Sequence, residues 1–580
     1  MLGCVCIAAV GGFLMREAES GTQGSGNGNT DDAKDVEAFT FSSTGLPVLH
    51  VTIGHDVSLD TVNAGSKNVK YSDSIVDLYT DGDPAAEPDS YTEVVFKGRG
   101  NASWRANKRS YQIKFSEKVS LFGMKQAEKY LLIANYCDDA VIRNAMTYDI
   151  ASSLGLAWTG YQFVDFYVNG EYIGNYMICQ KPDGESNSVD LANEDGVLVE
   201  LDYRARSEIG TSEYTVRSFY SGIFVRLRDS GSEEVSKRAA MDSFMESYEA
   251  LEKATKEKDW ERVKSLIDVE SFVRYYLLSE WSMNPDAQKT SCFLYKDGAG
   301  DVIHAGPVWD YDRAYDNYTK NFSYYISDKV AWVYLDDAAQ MCDSYPYMEI
   351  APGYHLYTDL AHIPEFRALA CEEWNTVKST INTFLEDKFD TLVSTIRPSV
   401  ERDHALWGNQ DFDAAVGSLR DCIEERIRLM DLWYGNTIDL ENGDYRITTA
   451  YGNVLYADET GVRAEETIDQ TGVEAIWTVR KEANGYYSIW NGVTKGALGQ
   501  DKGMQKLTKL GLGVQAASSD TERYVNLWSF IDAGDGRVFL MNMATYNMLE
   551  IGEDQVSVCC DYAKETDNKA FTFTPASGDE

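Results

Sequence analysis

The sequence predicts an α+β chain in three parts: a β-rich lobe, a helical lobe and a separate all-β unit. Three observations carry this. From Phe39 to Asp202 short apolar runs alternate with Gly, Asn, Asp and Pro, the punctuation of strands and turns. From Met241 to Tyr434 the longer segments repeat apolar residues at helical spacing. From Leu440 to Glu580 three similar blocks follow one another with little helix. At 580 residues the chain is too long for one core, and these shifts set boundaries at 1–37, 38–436 and 437–580.

The charge balance narrows the partners. With 53 basic against 93 acidic residues the formal net charge is -40, which excludes nucleic acid and an anionic membrane surface as natural ligands. A basic, Ser-rich protein fits better. The ten cysteines show no CxxC pair and the six histidines are scattered, so the sequence signals no zinc site and no disulfide scaffold.

In chain order, the apolar run Leu2 to Met15 is too short to span a bilayer, which takes about 20 residues. It reads as the remnant of a signal peptide or anchor, and the polar stretch Gly21 to Lys34 as a flexible tether. An exported or surface-anchored protein is the expectation. Strands are expected at Pro47 to Ile53, Ser74 to Tyr79 and Tyr91 to Lys97.

The segment KGRGNASW, Lys97 to Trp104, and the alternating KRSYQIKF, Lys108 to Phe115, concentrate cations in a chain short of them. Arg99, Lys108, Arg109 and Lys114 are placed to line an anion site, with Gly98 and Gly100 letting backbone approach closely. An ordinary basic strand edge fits the same residues. Asp138 and Asp139 offer N-caps for a helix to about Leu154, on which Ile142, Met146, Ile150 and Leu154 form an apolar stripe. Arg143 and Asn144 fall off it, free for a ligand or for solvent. Asn169-Gly170 marks a tight hairpin between Val164 to Val168 and Glu171 to Ile178, and Gly196 to Asp202 adds a strand.

The helical lobe opens with Met241 to Ala254 and Val269 to Ser279, which runs into the stretch Trp281 to Asn317. There two short strands, Cys292 to Tyr295 and Val302 to Ala305, form a hairpin with Asp286 before it and Asp310 after it. Two carboxylates and the Ser291 hydroxyl make an all-oxygen donor set suited to a hard cation such as Mg2+ or Mn2+. One aspartate that orients a nucleophile and one that holds a metal is the division of labour of phosphoryl transfer. An acidic surface hairpin is the competing reading. An aromatic region from Tyr318 to Tyr334 follows, then helices at Pro364 to Asp387, Phe389 to Ile396 and Ala414 to Tyr434.

Taken together, KGRGNASW with KRSYQIKF, LLIANYCDDAVIRNAMTYDIASSLGL, FVDFYVNGEYIGNYMICQK, GVLVELD, WSMNPDA and GPVWDYDRAYDN resemble the CotH (spore-coat protein H) kinase family in content and order. The resemblance covers Pro47 to Tyr434. It implies an atypical, minimal protein-kinase-like fold that transfers the γ-phosphoryl group of ATP to protein Ser or Thr, with a β-rich N-lobe and a helical C-lobe. It also implies Asp286 as the catalytic aspartate, Asp310 as the metal ligand with Ser291 beside it, and Lys114, Arg99, Asn101 and Arg143 on the nucleotide. Two positions depart from the family pattern. Cys179-Gln180-Lys181 stands where Thr-Glu-Lys is common, leaving Glu200 as the replacement carboxylate, and Ser291 stands where ordinary kinases have asparagine. A non-catalytic pseudokinase scaffold or carbohydrate-binding adhesion protein is the alternative these departures favour.

In the last unit, strand openings at Gly443, Gly485 and Gly536 and closings at Trp477, Trp528 and Phe571 recur. This repetition resembles a β-trefoil of the ricin-type lectin kind, with the closing aromatics as its core; a cell-surface carbohydrate is the partner such a module implies.

Overall fold

The computed structural model describes residues 39–182, 189–208, 214–231, 237–284, 286–317, 355–408, 411–435, 437–458, 461–466, 472–482, 485–500, 508–513, 526–543, 547–552, 554–555, 558–561 and 566–576. The N-terminal apolar and polar stretches and the aromatic run from Tyr318 to Tyr334 lie outside the described residues. Residues 39–41, whose Phe39 and Phe41 rings lie 5.6 Å apart, belong to one unit, and Ser42 onward forms the second.

The β-rich lobe is a closed barrel in the order β1-β2-β3-β4-β5-β7-β6. Its strands are β1 Val48–Thr52, β2 Tyr71–Tyr79, β3 Asp89–Gly98, β4 Tyr111–Val119, β5 Ala127–Ile133, β6 Tyr161–Val168 and β7 Glu171–Gln180. Neighbours are antiparallel except β1 and β6, whose parallel pairing closes the ring. Alternation decides the faces: Phe96, Tyr111, Ile113, Tyr130, Leu132, Phe166 and Tyr176 fill the interior. Asn169 and Gly170 take φ of 49° and 85°, as the type I′ turn between β6 and β7 requires.

The helix packed on the barrel runs Arg143–Ser153, not from Asp138. Asp138 instead accepts the Ala140 and Arg143 N–H groups from a tight turn ahead of the helix. The four stripe residues Ile142, Met146, Ile150 and Leu154 are buried. A second sheet, ordered β12-β11-β8-β10-β9, is made of β8 Val197–Leu201, β9 Thr215–Arg217, β10 Phe224–Ser230, β11 Cys292–Lys296 and β12 His304–Ala305. Around it lie helices Lys237–Glu257, Val269–Trp281, Pro364–Phe384, Asp390–Trp407 and Phe412–Met430. The helix expected to stop at Ile396 continues through Pro398, because Ser399, Val400 and Asp403 bury against the barrel.

The C-terminal unit holds three sets of four strands among the described residues. These are β13 Gly443–Thr449, β14 Val454–Asp458, β15 Gly461–Glu465 and β16 Trp477–Lys481; β17 Tyr487–Asn491, β18 Ala497–Gln500, β19 Thr508–Gly513 and β20 Trp528–Gly534; and β21 Arg537–Asn542, β22 Met548–Ile551, β23 Val558–Asp561 and β24 Ala570–Pro575. The first and last strands of each set pair with one another and with the neighbouring sets, which closes a ring of six. The middle strands of each set form a hairpin. Trp477 and Trp528 donate their indole N–H to the Leu455 and Leu498 carbonyls at 2.8 and 2.9 Å, the same bond in two successive sets. This unit shares its apolar contacts with the helical lobe: Tyr486, Leu527, Ile531, Phe539 and Met541 belong to the same core as Trp374 and Trp433. Among the described residues no helix is long and apolar enough to cross a membrane.

Candidate active site

Asp286 lies in the turn between helix Val269–Trp281 and β11. Its N–H donates to Asn284 Oδ1 at 3.0 Å, and its carbonyl accepts the Lys289 and Thr290 N–H groups. The helix leading into this turn is held by a fully buried ion pair, Arg426 to Glu280 at 3.0 Å, with the guanidinium over the Trp433 ring. The Asp286 side chain keeps 21% of its surface open. Burial raises its pKa, Lys289 3.9 Å away lowers it, the Asp310 carboxylate raises it, and Arg204 and Arg313 lower it.

Asp310 follows β12, and the backbone there is strained. Asp310 has φ of +66° and Ser291 has φ of +51°, a region that L-residues with side chains avoid. Three contacts hold this geometry. Ser291 Oγ donates to Asp310 Oδ2 at 3.1 Å, the Asp310 N–H points at the Tyr148 hydroxyl at 3.4 Å, and the Tyr311 N–H donates to Asn144 Oδ1 at 2.7 Å. Asn144 and Tyr148 sit one helical turn apart, so the 143–153 helix grips the aspartate segment from one face.

A third carboxylate joins the pair. Asp312 accepts the Cys137 thiol at 3.1 Å, and burial, then the Asp310 charge, push its carboxyl up to about 7. Asp286, Asp310 and Ser291 offer oxygen donors alone, which fits a hard cation that takes one or two carboxylates and completes its shell with water or phosphate. Among the described residues no three His, Cys, Asp or Glu side chains converge at ligand distance.

The expected anion-binding residues divide. Lys108 is buried, 2.7 Å from Asp403 Oδ1, and donates to the Asn175 carbonyl. It clamps helix Asp390–Trp407 to the barrel and is not a site residue. Arg109 donates to the Asn63 carbonyl and lies over the Trp104 ring. Arg143, expected to be free, is buried against Asp138. Glu200 pairs with Arg228 and Arg226 on β10, not with a lysine. Lys114 is half-exposed and 3.1 Å from Glu128.

Arg99 and Asn101 sit in a concentration of cations. Lys67 donates to Asn101 Oδ1 at 2.6 Å and to the Gly100 carbonyl. Burial lowers its pKa, and so do Arg99, Lys97 and Arg105; Lys97 is lowered by burial, Lys70 and Arg99. Gly98 is required there, since a Cβ would lie 2.3 Å from the Trp104 ring, and Gly100 has φ of +88°. The register places Lys97, Gln112, Leu131, Cys179 and Tyr161 in one cross-strand row, with Lys114 and Lys129 in the next. Leu131 and Cys179 of that row pack in the core that holds the 143–153 helix. Lys67, Lys70, Lys97, Tyr148 and Asp312 were not singled out from sequence, whereas Asn144 was, as a residue off the helix stripe; Lys97, Tyr148 and Asp312 stand within the quoted motifs.

The barrel lobe and the helical lobe, with two aspartates flanking a hairpin, are the setting in which the family match falls. A family described as CotH kinase protein matches residues 96–430, more than half the chain. The chain belongs to the CotH kinase protein family. No curated protein matches it. Among solved structures it is similar to the Rhizoctonia solani agglutinin, at 16% identity over 24% of this chain and 98% of that one, TM-score 0.20. It is also similar to SeviL bound to asialo-GM1 saccharide, at 17% identity over 23% and 99%, TM-score 0.19. The designed three-fold symmetric protein ThreeFoil gives 16% identity over 23% and 98%, TM-score 0.21.

Proposed function

We propose that the chain is an exported atypical protein kinase that transfers the ATP γ-phosphoryl group to Ser or Thr of a surface or extracellular protein. The observation that carries this is the mutual influence of Asp286 and Asp310, the two carboxylates that flank the β11–β12 hairpin. In this reading Asp286 accepts the proton of the acceptor hydroxyl and aligns it, its charge kept available by Lys289, Arg204 and Arg313. Asp310 and Ser291 would hold Mg2+ or Mn2+, which supplies charge neutralisation between phosphates. Arg99, Asn101 and Lys114, joined by Lys67 and Lys97, would steady the phosphates. Arg143 serves indirectly, by fixing the turn before the helix that holds Asp310. A basic, Ser-rich acceptor suits a surface of net charge -40.

The three four-strand sets and their six-strand ring support a β-trefoil, and the proposed task of that module is to hold the enzyme at a carbohydrate-bearing surface. The test is intact-mass spectrometry of residues 39–580 incubated with ATP and magnesium or manganese, with a basic Ser-rich acceptor. We expect increments of about 80 Da, one phosphate each, on protein or acceptor, and none with Asp286→Ala or Asp310→Ala. An AMP increment would redirect the chemistry at the same site, and no increment at all would leave the scaffold reading.

A further inference from the structure

Away from the aspartates, a cavity of about 350 Å³ opens between the barrel, the 143–153 helix and helix Asp390–Trp407. Its walls are aromatic and aliphatic, with Trp158, Tyr161, Phe163, Phe122 and Ile396 among them, and one carboxylate, Asp149, stands in the lining. It shares no lining residue with the aspartate cleft or the RGN loop. That volume and that mixture, apolar walls with a few convergent polar groups, are those of small-molecule sites.

The polar groups say what kind of molecule. Asp149 Oδ2 accepts the Tyr161 hydroxyl at 3.1 Å; no described residue hydrogen-bonds its other oxygen. Burial raises the pKa of this carboxyl, while the Tyr161 bond and the Lys388 charge lower it. Lys388, exposed on the turn ahead of the Asp390–Trp407 helix, is the protein's own cation in reach. Gln162 spends its amide N–H on the Phe163 carbonyl. The cavity therefore offers aromatic faces and a carboxylate oxygen, both of which attract a cation, and nothing in the lining is cationic. We infer that this cavity is a binding site for a small organic ammonium compound, its apolar body against Trp158 and Phe163 and its charged nitrogen on Asp149.

The experiment uses the chain from residue 39 onward and three probes of equal size, benzylammonium, benzyl alcohol and benzoate, titrated by calorimetry at pH 7. Benzylammonium should bind saturably at one site, benzyl alcohol roughly tenfold more weakly and benzoate not at all. Asp149→Asn should weaken benzylammonium about tenfold and leave benzyl alcohol unchanged. Thr395 is an exposed lining residue, so Thr395→Trp fills the cavity from outside and should abolish both without lowering the melting temperature. That second variant keeps the test open if Asp149→Asn fails to fold. No saturable binding, benzoate binding as well as benzylammonium, or binding that survives Thr395→Trp would overturn the inference. None of these readouts depends on phosphoryl transfer, so the two readings fail separately.

Discussion

Asp312 shows how far a single side chain can be pushed by its neighbours. Burial and the Asp310 charge push its carboxyl up to about 7, against about 3.9 in an unfolded chain. Between those values the folded chain holds a proton that the unfolded chain has released, so stability falls as pH rises from about 4 to 7 and stays lowered above. In metal-free protein, Asp312→Asn should be more stable than the parent at pH 8, with the difference shrinking toward pH 4. Urea midpoints of parent and variant with chelator present read this difference directly, and a difference that does not grow from pH 4 to pH 8 would rule it out. The residue scale is also where sequence reading reached least. Asp286, Asp310 and Ser291 stood out by type and spacing, and the hairpin brings Ser291 onto Asp310 as that spacing suggested. Lys67 lies 30 or more positions from the RGN loop it braces, and only the fold brings them together.

Elements were more legible than their ends. The barrel strands, the type I′ hairpin and the helix stripe followed from alternation and turn residues, because those patterns are local. Two boundaries were misplaced. Asp138 reaches the first helical N–H, that of Arg143, from four residues ahead of the cap position, and Pro398 sits inside a helix because the barrel contacts of Ser399 and Asp403 just after it offset the missing N–H. Lys108 was misread for the same reason: in sequence it is one of four cations, in the fold the partner of Asp403. Asp403→Ala should cost about 3–5 kcal/mol, since it strands a buried ammonium, whereas replacing both with apolar residues, Lys108→Met with Asp403→Leu, should cost far less. Chemical denaturation of the two variants distinguishes the cases. Equal losses would mean that the pair contributes through shape alone.

At the scale of the whole molecule, the join between the helical lobe and the C-terminal strands was not visible in the sequence. Thr437 bridges to Ile531, the Ile438 N–H donates to the Phe530 carbonyl, and Arg367 of the helical lobe lies over both Tyr434 and Tyr486, at 5.1 and 5.3 Å. Composition predicts separate cores, while these contacts make one apolar core continuous across the boundary. The helical lobe and the C-terminal unit should therefore unfold together. Calorimetry of residues 39–580 should give one main transition, and a chain ended at 436 should melt lower and aggregate, having exposed the surface that Tyr486 and Ile531 cover. Two independent transitions would contradict this.

That join also fixes a length. A module tethered by a loose linker searches a volume, and its partner's cleft meets whatever drifts within it. Here the chain leaves the last helix and enters the six-strand ring within a few bonded residues, so the two parts behave as the arms of a caliper. On the proposed function, with the ring holding a surface and the aspartates serving phosphoryl transfer, the acceptors reached would be those standing at one set span from the gripped point, and choice among them a matter of ruler before it is a matter of sequence.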